Sequence, residues 1–146
     1  MNQNFEVKLL DINSIDEQIE VFISAFSSMD TFEKIKETWI KKHYSNPCGN
    51  SYIFGVYDNF KLISINAFMP IKYIFKEKEL TAVQSCESGT LPEYQGKGIW
   101  NLIIKKAMEF FITSTEIDFM LGFPNYTNSY SGFLKRKWIS VANVNN

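Results

Sequence analysis

Apolar positions along this chain change their period several times, and each change predicts an element. Phe5 to Leu10 alternates as a half-buried strand does. Ile15, Ile19, Phe22, Ile23 and Phe26 then recur at helical spacing from Asp16 onward. Asp30 or Thr31 can cap a second helix, with Phe32, Ile35, Trp39 and Ile40 on one face. The turn formers Asn46-Pro-Cys-Gly-Asn50 close that region. Two strands follow, Tyr52–Tyr57 and Lys61–Met69, joined at the hairpin signal Asp58-Asn59. Ile63, Ile65, Ala67 and Met69 share one face of the second, opposite Ser64 and Asn66. Pro70 cannot donate to a ladder and marks a bulge or an edge, after which Ile71–Phe75 resumes the strand.

Beyond the solvated turn Lys76–Glu79, Leu80 to Leu91 reads as a long central strand that stops at Pro92. Gly98 to about Thr113 is the clearest helix, with Ile99, Leu102, Ile103, Ala107, Phe110 and Phe111 facing inward. Phe119–Gly122 reads as a short buried strand, Asn125 to Lys137 contains the last helix, and Trp138–Val144 reads as a last strand. The order is mixed α and β without repeat or linker.

Length and composition narrow the class. The 146 residues fit one domain, residues 1–146, and the 45% hydrophobic and 21% charged fractions fit a globular fold. Fifteen basic against sixteen acidic residues leave a formal charge of −1, without the basic stripe that nucleic acid requires. The densest basic cluster is Lys135-Arg136-Lys137. Two cysteines, Cys48 and Cys86, and the single His43 make neither a disulfide scaffold nor a metal site, so no metal is expected. The N-terminus lacks the pattern of a signal peptide, and no apolar run reaches the length of a membrane span. A cytoplasmic protein with no membrane partner is the expectation.

The candidate chemistry lies in Glu87-Ser-Gly-Thr-Leu-Pro-Glu-Tyr-Gln-Gly-Lys-Gly-Ile-Trp100. A strand stops at a proline, a glycine loop follows, and a helix begins. Unpaired N–H groups and the positive end of a helix dipole then converge on one point, which suits phosphate. The loop is not a Walker A motif, because Gly98 follows Lys97 where Ser or Thr belongs. Nor is it a dinucleotide fingerprint, because Asn101 stands where a third small residue is needed.

Gln95-Gly-Lys-Gly-Ile99 resembles motif A of the GNAT acyltransferases, Arg/Gln-x-x-Gly-x-Gly/Ala, in its first five positions. Trp100 departs from the sixth. It resembles a branch that carries an aromatic there together with a Gly-Phe-Pro-Asn-x-x-Ser segment, here Gly122–Ser129. The resemblance spans about 5 to 144. It implies a GNAT-like α/β (α+β) fold with a mixed, mostly antiparallel sheet of about six strands and about four helices.

It also implies acetyl-CoA as co-substrate and an N-acetyltransferase acting on a small amine, with an amino sugar as one option. The cofactor-binding residues would be Gln95, Gly96, Lys97, Gly98, Ile99 and Trp100 at the pyrophosphate. Main-chain groups of Thr90 and Leu91 would bond the pantetheine, and Asn125 would reach the same arm or cap the last helix.

Strand alternation places Val83, Ser85, Glu87, Gly89 and Leu91 on one face, where a carboxylate is costly without work or a partner. Glu87 is therefore the candidate catalytic base, with His43 as an alternative and Cys86 on the opposite face as a core residue. The family's acid is commonly a tyrosine in a Tyr-x-x-x-Gly-Phe pattern, and aligned on Trp138 that position is Phe133. Tyr130, Tyr126 or water would substitute. The Phe133 departure keeps a second reading open, a non-catalytic module that binds acyl-CoA or a protein. A third is an assembly domain. Only eight residues follow Trp138, too few for the family's seventh strand, which predicts a shortened sheet with its edge covered by a second subunit, or a chain cut from a longer protein.

Overall fold

A computed structural model describes residues 5–124 and 129–142. Strand β1 (Phe5–Leu10) leads through a 3₁₀ turn to helix α1 (Ile15–Phe26) and helix α2 (Phe32–Trp39), which runs on as a π-helical turn over Ile40–Tyr44. Strands β2 (Tyr52–Asp58), β3 (Lys61–Phe75) and β4 (Lys78–Thr90) follow as a meander. Helix α3 (Ile99–Ile112), strand β5 (Phe119–Gly122) and helix α4 (Tyr130–Lys135) complete the order.

The five strands stand in chain order in one sheet. The first three pairings are antiparallel, and β5 joins β4 in parallel. Both hairpins turn on two residues, with left-handed backbone at Asn59 in one and at Lys76 and Glu77 in the other, the conformation such short loops favour.

Strand β3 is continuous for 15 residues and passes through Pro70, which pairs with Val83. The pairing with β2 has ended by then, at Tyr52↔Phe68, so the proline lies where β3 has a neighbour on one side only. Leu62 to Phe68 are all buried, because helices cover both faces of the sheet: α1 lies against β3 and β4 on one side, and α3 spans β1 to β4 on the other.

Helix α3 buries Ile99, Ile103, Ile104, Ala107 and Phe111, each large aliphatic or aromatic contributing about 1.5–3 kcal/mol. Leu102 and Phe110, expected inside, stand at the rim. Phe110 still meets the rings of Tyr52 and Phe54. On α1, Gln18 is buried because Trp39 Nε1 donates to it at 3.0 Å while its amide donates to Asp11 O and Tyr44 Oη.

The expected strand over 138–144 is absent from its described part, residues 138–142. Lys137 adopts φ 64°, ending α4, and Trp138 stacks edge-on against Phe133 rather than pairing along β5. Ile139 and Val141 are left exposed. Five strands therefore replace the expected six among the described residues.

Gly89 shows how closely β4 approaches α1: a Cβ there would stand 2.8 Å from Ala25 Cβ and 3.2 Å from the Phe26 ring. Replacing Gly89 with Ala is expected to cost about 1–3 kcal/mol by overpacking. Urea unfolding should show an earlier midpoint at unchanged slope.

Candidate active site

The site is built on a fault in the β3–β4 ladder. Ile65 pairs with Gly89, but two residues on Ala67 pairs with Cys86, so Glu87 and Ser88 together oppose Asn66. Glu87 takes up the extra length with φ 43°, a conformation rarely adopted outside glycine. This corrects the simple alternation expected for the strand. The bulge leaves the Glu87 carboxylate and the Cys86 thiol close enough to influence each other, rather than on opposite faces.

Glu87 projects toward the π-helical turn that ends α2. Lys42 Nζ donates to its Oε1, and His43 Nε2 stands 3.4 Å from its Oε2. Neither of those last two atoms has a well-formed hydrogen bond. His43 is fully buried, lies against Trp39 at 4.4 Å between centroids, and its Nδ1 meets Ser51 Oγ at 2.9 Å. A π turn re-aims side chains relative to a regular helix, and here it delivers the consecutive Lys42 and His43 to one carboxylate.

Burial alone would raise the Glu87 carboxyl. The polar groups of His43 and Cys86 beside it, the hydrogen bond from Lys42 and the charge of Lys42 outweigh it and draw the group down to about 2. The same burial, helped by the Glu87 charge, pushes the Cys86 thiol well above its ordinary value, which leaves it inert as a nucleophile.

Strand β4 parts from β5 after Ser85↔Gly122. Beyond that point Leu91 N–H donates to Ile63 O and Leu91 C=O accepts from Tyr94 N, so the expected free groups of Leu91 are in use. Ladder alternation turns Thr90's own N–H and C=O toward the β5 side, where Gln95 Nε2 reaches back to Thr90 O at 3.1 Å.

In the loop, Gly96 and Gly98 both adopt φ +74°, and Gly98 caps α3. Such left-handed steps turn successive N–H groups to one side. Ile99 is buried and offers only its backbone, while Lys97 is exposed with Nζ 4.9 Å from the Tyr94 ring centre. No acidic residue sits in the first turn of α3. Arg136 joins the loop from α4, its Nε donating to Asn101 Oδ1 at 3.1 Å. Read as part of a local basic run, Arg136 gave no sign in the sequence of lying beside this loop.

Trp100 turns inward. Its Nε1 donates to Asn66 Oδ1 at 3.1 Å, its ring meets Phe133 at 5.1 Å, and Phe133 meets Trp138 at 4.6 Å. Phe133, the position aligned with the family's acid, is buried as the middle ring of this row. Tyr130 opens α4 and is half-buried. Asn125 and Tyr126 lie outside the described residues. A separate groove of about 720 Å³ opens between α1 and the β2–β3 turn, with Glu17, Glu20, Asp58 and Glu93 around Leu91.

The sequence from 6 to 133 matches the model of the acetyltransferase (GNAT) domain. The chain belongs to the GNAT acetyltransferase family. Solved GNAT-like folds agree with its architecture. A conserved Enterococcus faecalis protein described as a probable N-acyltransferase superposes with a TM-score of 0.75 at 20% identity, over 90% of this chain and 31% of its own. A Trypanosoma brucei acetyltransferase gives 0.71 at 10% identity, over 98% of each chain. Glucosamine-6-phosphate N-acetyltransferase from Arabidopsis thaliana gives 0.69 at 13% identity, over 98% of this chain and 96% of its own. This GNAT chain thus spans less than a third of the Enterococcus protein and nearly all of the other two. No curated protein matches the sequence. No described helix is long and apolar enough to cross a membrane.

The depressed Glu87 carboxyl has a consequence for stability. Its contribution is complete above the ordinary value of 4.5 and is lost as pH falls toward 2. Between those limits the stability advantage of the wild type over Glu87→Gln should shrink by on the order of 3 kcal/mol. Urea unfolding at a series of pH values checks this, and parallel curves for the two proteins would refute it.

Proposed function

We propose that this GNAT protein transfers an acetyl group from acetyl-CoA to a small primary amine, with Glu87 at the reacting nitrogen. The observation that carries the reading is the combination of a glycine loop open at the α3 N-terminus with an ionised carboxylate on the adjoining bulge of β4. The residues fit the co-substrate. A Cβ at Gly96 would meet nothing within 4 Å and one at Gly98 would touch Asn101 Nδ2 at 3.6 Å, while Lys97 and Arg136 add positive charge beside the N–H groups of the loop. Gln95 ties the loop to Thr90, whose edge toward β5 supplies main-chain bonds for the pantetheine. Bound acetyl-CoA supplies the activated acyl carbon.

Glu87 is ionised at neutral pH and accepts a hydrogen bond from the incoming amine. At about 2 it is too weak a base to keep a proton, so the proton passes on to water at its exposed edge. A backbone N–H of the bulge polarises the acyl carbonyl. Phe133 has no proton to give, so Tyr130 or water protonates the leaving thiolate. The amino-sugar option rests on the branch resemblance carried by Trp100 and 122–129, alongside the likeness in fold to the Arabidopsis enzyme.

Acetyl-CoA at about 100 times its dissociation constant should stabilise the protein by about 2.7 kcal/mol, seen as a raised melting temperature. An unchanged melting temperature at saturating acetyl-CoA would remove the reading. Glu87→Gln should retain this stabilisation and lose about 10²–10⁴-fold in transfer rate to a panel of primary amines. A variant that lost binding and rate together would place Glu87 in the fold rather than in the chemistry.

A further inference from the structure

The position proposed for the acceptor nitrogen is already taken by an amine of the protein itself. Lys42 Nζ donates to Glu87 Oε1, while Oε2 faces His43 Nε2 at 3.4 Å on its inner side, with Ser51 behind the imidazole. The two oxygens therefore have different neighbours: one faces a fully buried imidazole, the other a lysine whose side chain keeps 37% of its exposure. Among the lysines paired to carboxylates in the described structure, Lys8, Lys34, Lys36, Lys41, Lys61 and Lys72 meet exposed surface carboxylates. Lys42 alone of the described pairs meets a largely buried one.

We propose that Lys42 is a self-acetylation site, its ε-amine standing in for the acceptor and taking the acetyl group from acetyl-CoA bound in the same chain. The inference rests on the reading of Glu87 as the residue at the reacting nitrogen. One proton leaves the Lys42 ammonium by way of Glu87. The Nζ lone pair then attacks the thioester carbon, the C–N bond forms and the C–S bond breaks. The departing sulfur takes up a proton as CoA thiol, and the second proton lost from nitrogen goes to water. Acetyl-CoA and lysine thus become acetyl-lysine, free CoA and one released proton, with no oxidant or further reactant. The product amide carries no charge, so Glu87 loses its cationic partner and its Oε1 becomes open to an external amine.

Purified full-length protein incubated with acetyl-CoA and no added amine should gain one acetyl group by intact mass, and peptide mapping should place it on Lys42. Lys41, one residue away and paired with the exposed Glu37, is the internal control: it should stay unmodified, and Lys41→Arg should not change the rate at Lys42. Lys42→Arg should abolish the gain, and Glu87→Gln should slow it at least about tenfold.

A readout independent of transfer uses the only histidine of the chain. In ¹⁵N-labelled protein the His43 ring signals should shift in Lys42→Gln, because Glu87 loses its Lys42 partner. Calorimetry with acetyl-CoA separates the possible failures. Binding without modification of Lys42, or equal acetylation of Lys41 and Lys42, or an undiminished rate in Glu87→Gln, would overturn self-acetylation and leave the proposed function standing. Absence of binding would remove both.

Discussion

A carboxylate taken out of water stays charged only if its neighbours replace what water supplied, and the site depends on how Glu87 meets that requirement. Its position comes from one extra residue in β4, which bends the strand and directs the side chain toward the end of α2. Its charge is held by Lys42, His43 and Cys86, whose combined effect exceeds the cost of burial. His43 is in turn placed by Trp39 and Ser51, and Trp39 by the Gln18 network at the start of α1. One anionic group therefore couples the first two helices to the fourth strand. The opening between β4 and β5 begins two residues before it.

The glycine-loop half of the proposed site was open to reading in the sequence because it is local. Gln95–Trp100 lies in consecutive residues, and the φ values of Gly96 and Gly98 are those that only glycine reaches without strain. The elements were legible for the same reason, since period and capping act over a few residues: Phe5–Leu10 and Phe119–Gly122 have the expected bounds, and Thr31 caps α2 as expected. In the proposed amine half Glu87 was legible, with His43 as its alternative, and Lys42 was not. A bulge leaves no periodic mark, so alternation placed Glu87 and Cys86 on opposite faces. His43 could be ranked only by its sequence neighbours, because nothing local reports that a π turn brings it to a strand more than forty residues on. Arg136 was hidden in the same way, its meeting with Asn101 being a matter of tertiary packing.

The aromatic row Trp100–Phe133–Trp138 joins the three departures from the family pattern. Phe133 is enclosed by two indoles, where a ring contributes packing and a hydroxyl would need a partner. Trp138 is held against that ring, which explains why the chain beyond α4 does not continue the sheet in the described residues. Trp100 has a partner for its one polar atom, Asn66, the residue opposite the bulge. The row therefore braces α3 and α4 across the same fault in the ladder that positions Glu87 on its other flank.

The contact between Trp100 and Gly132 makes two distant positions depend on each other. A Cβ at 132 would stand 2.8 Å from Trp100 Cζ3, so a tryptophan at one position admits only glycine at the other while both backbones stay in place. The constraint runs both ways: a side chain at 132 would force the indole to move, and a smaller residue at 100 would release it.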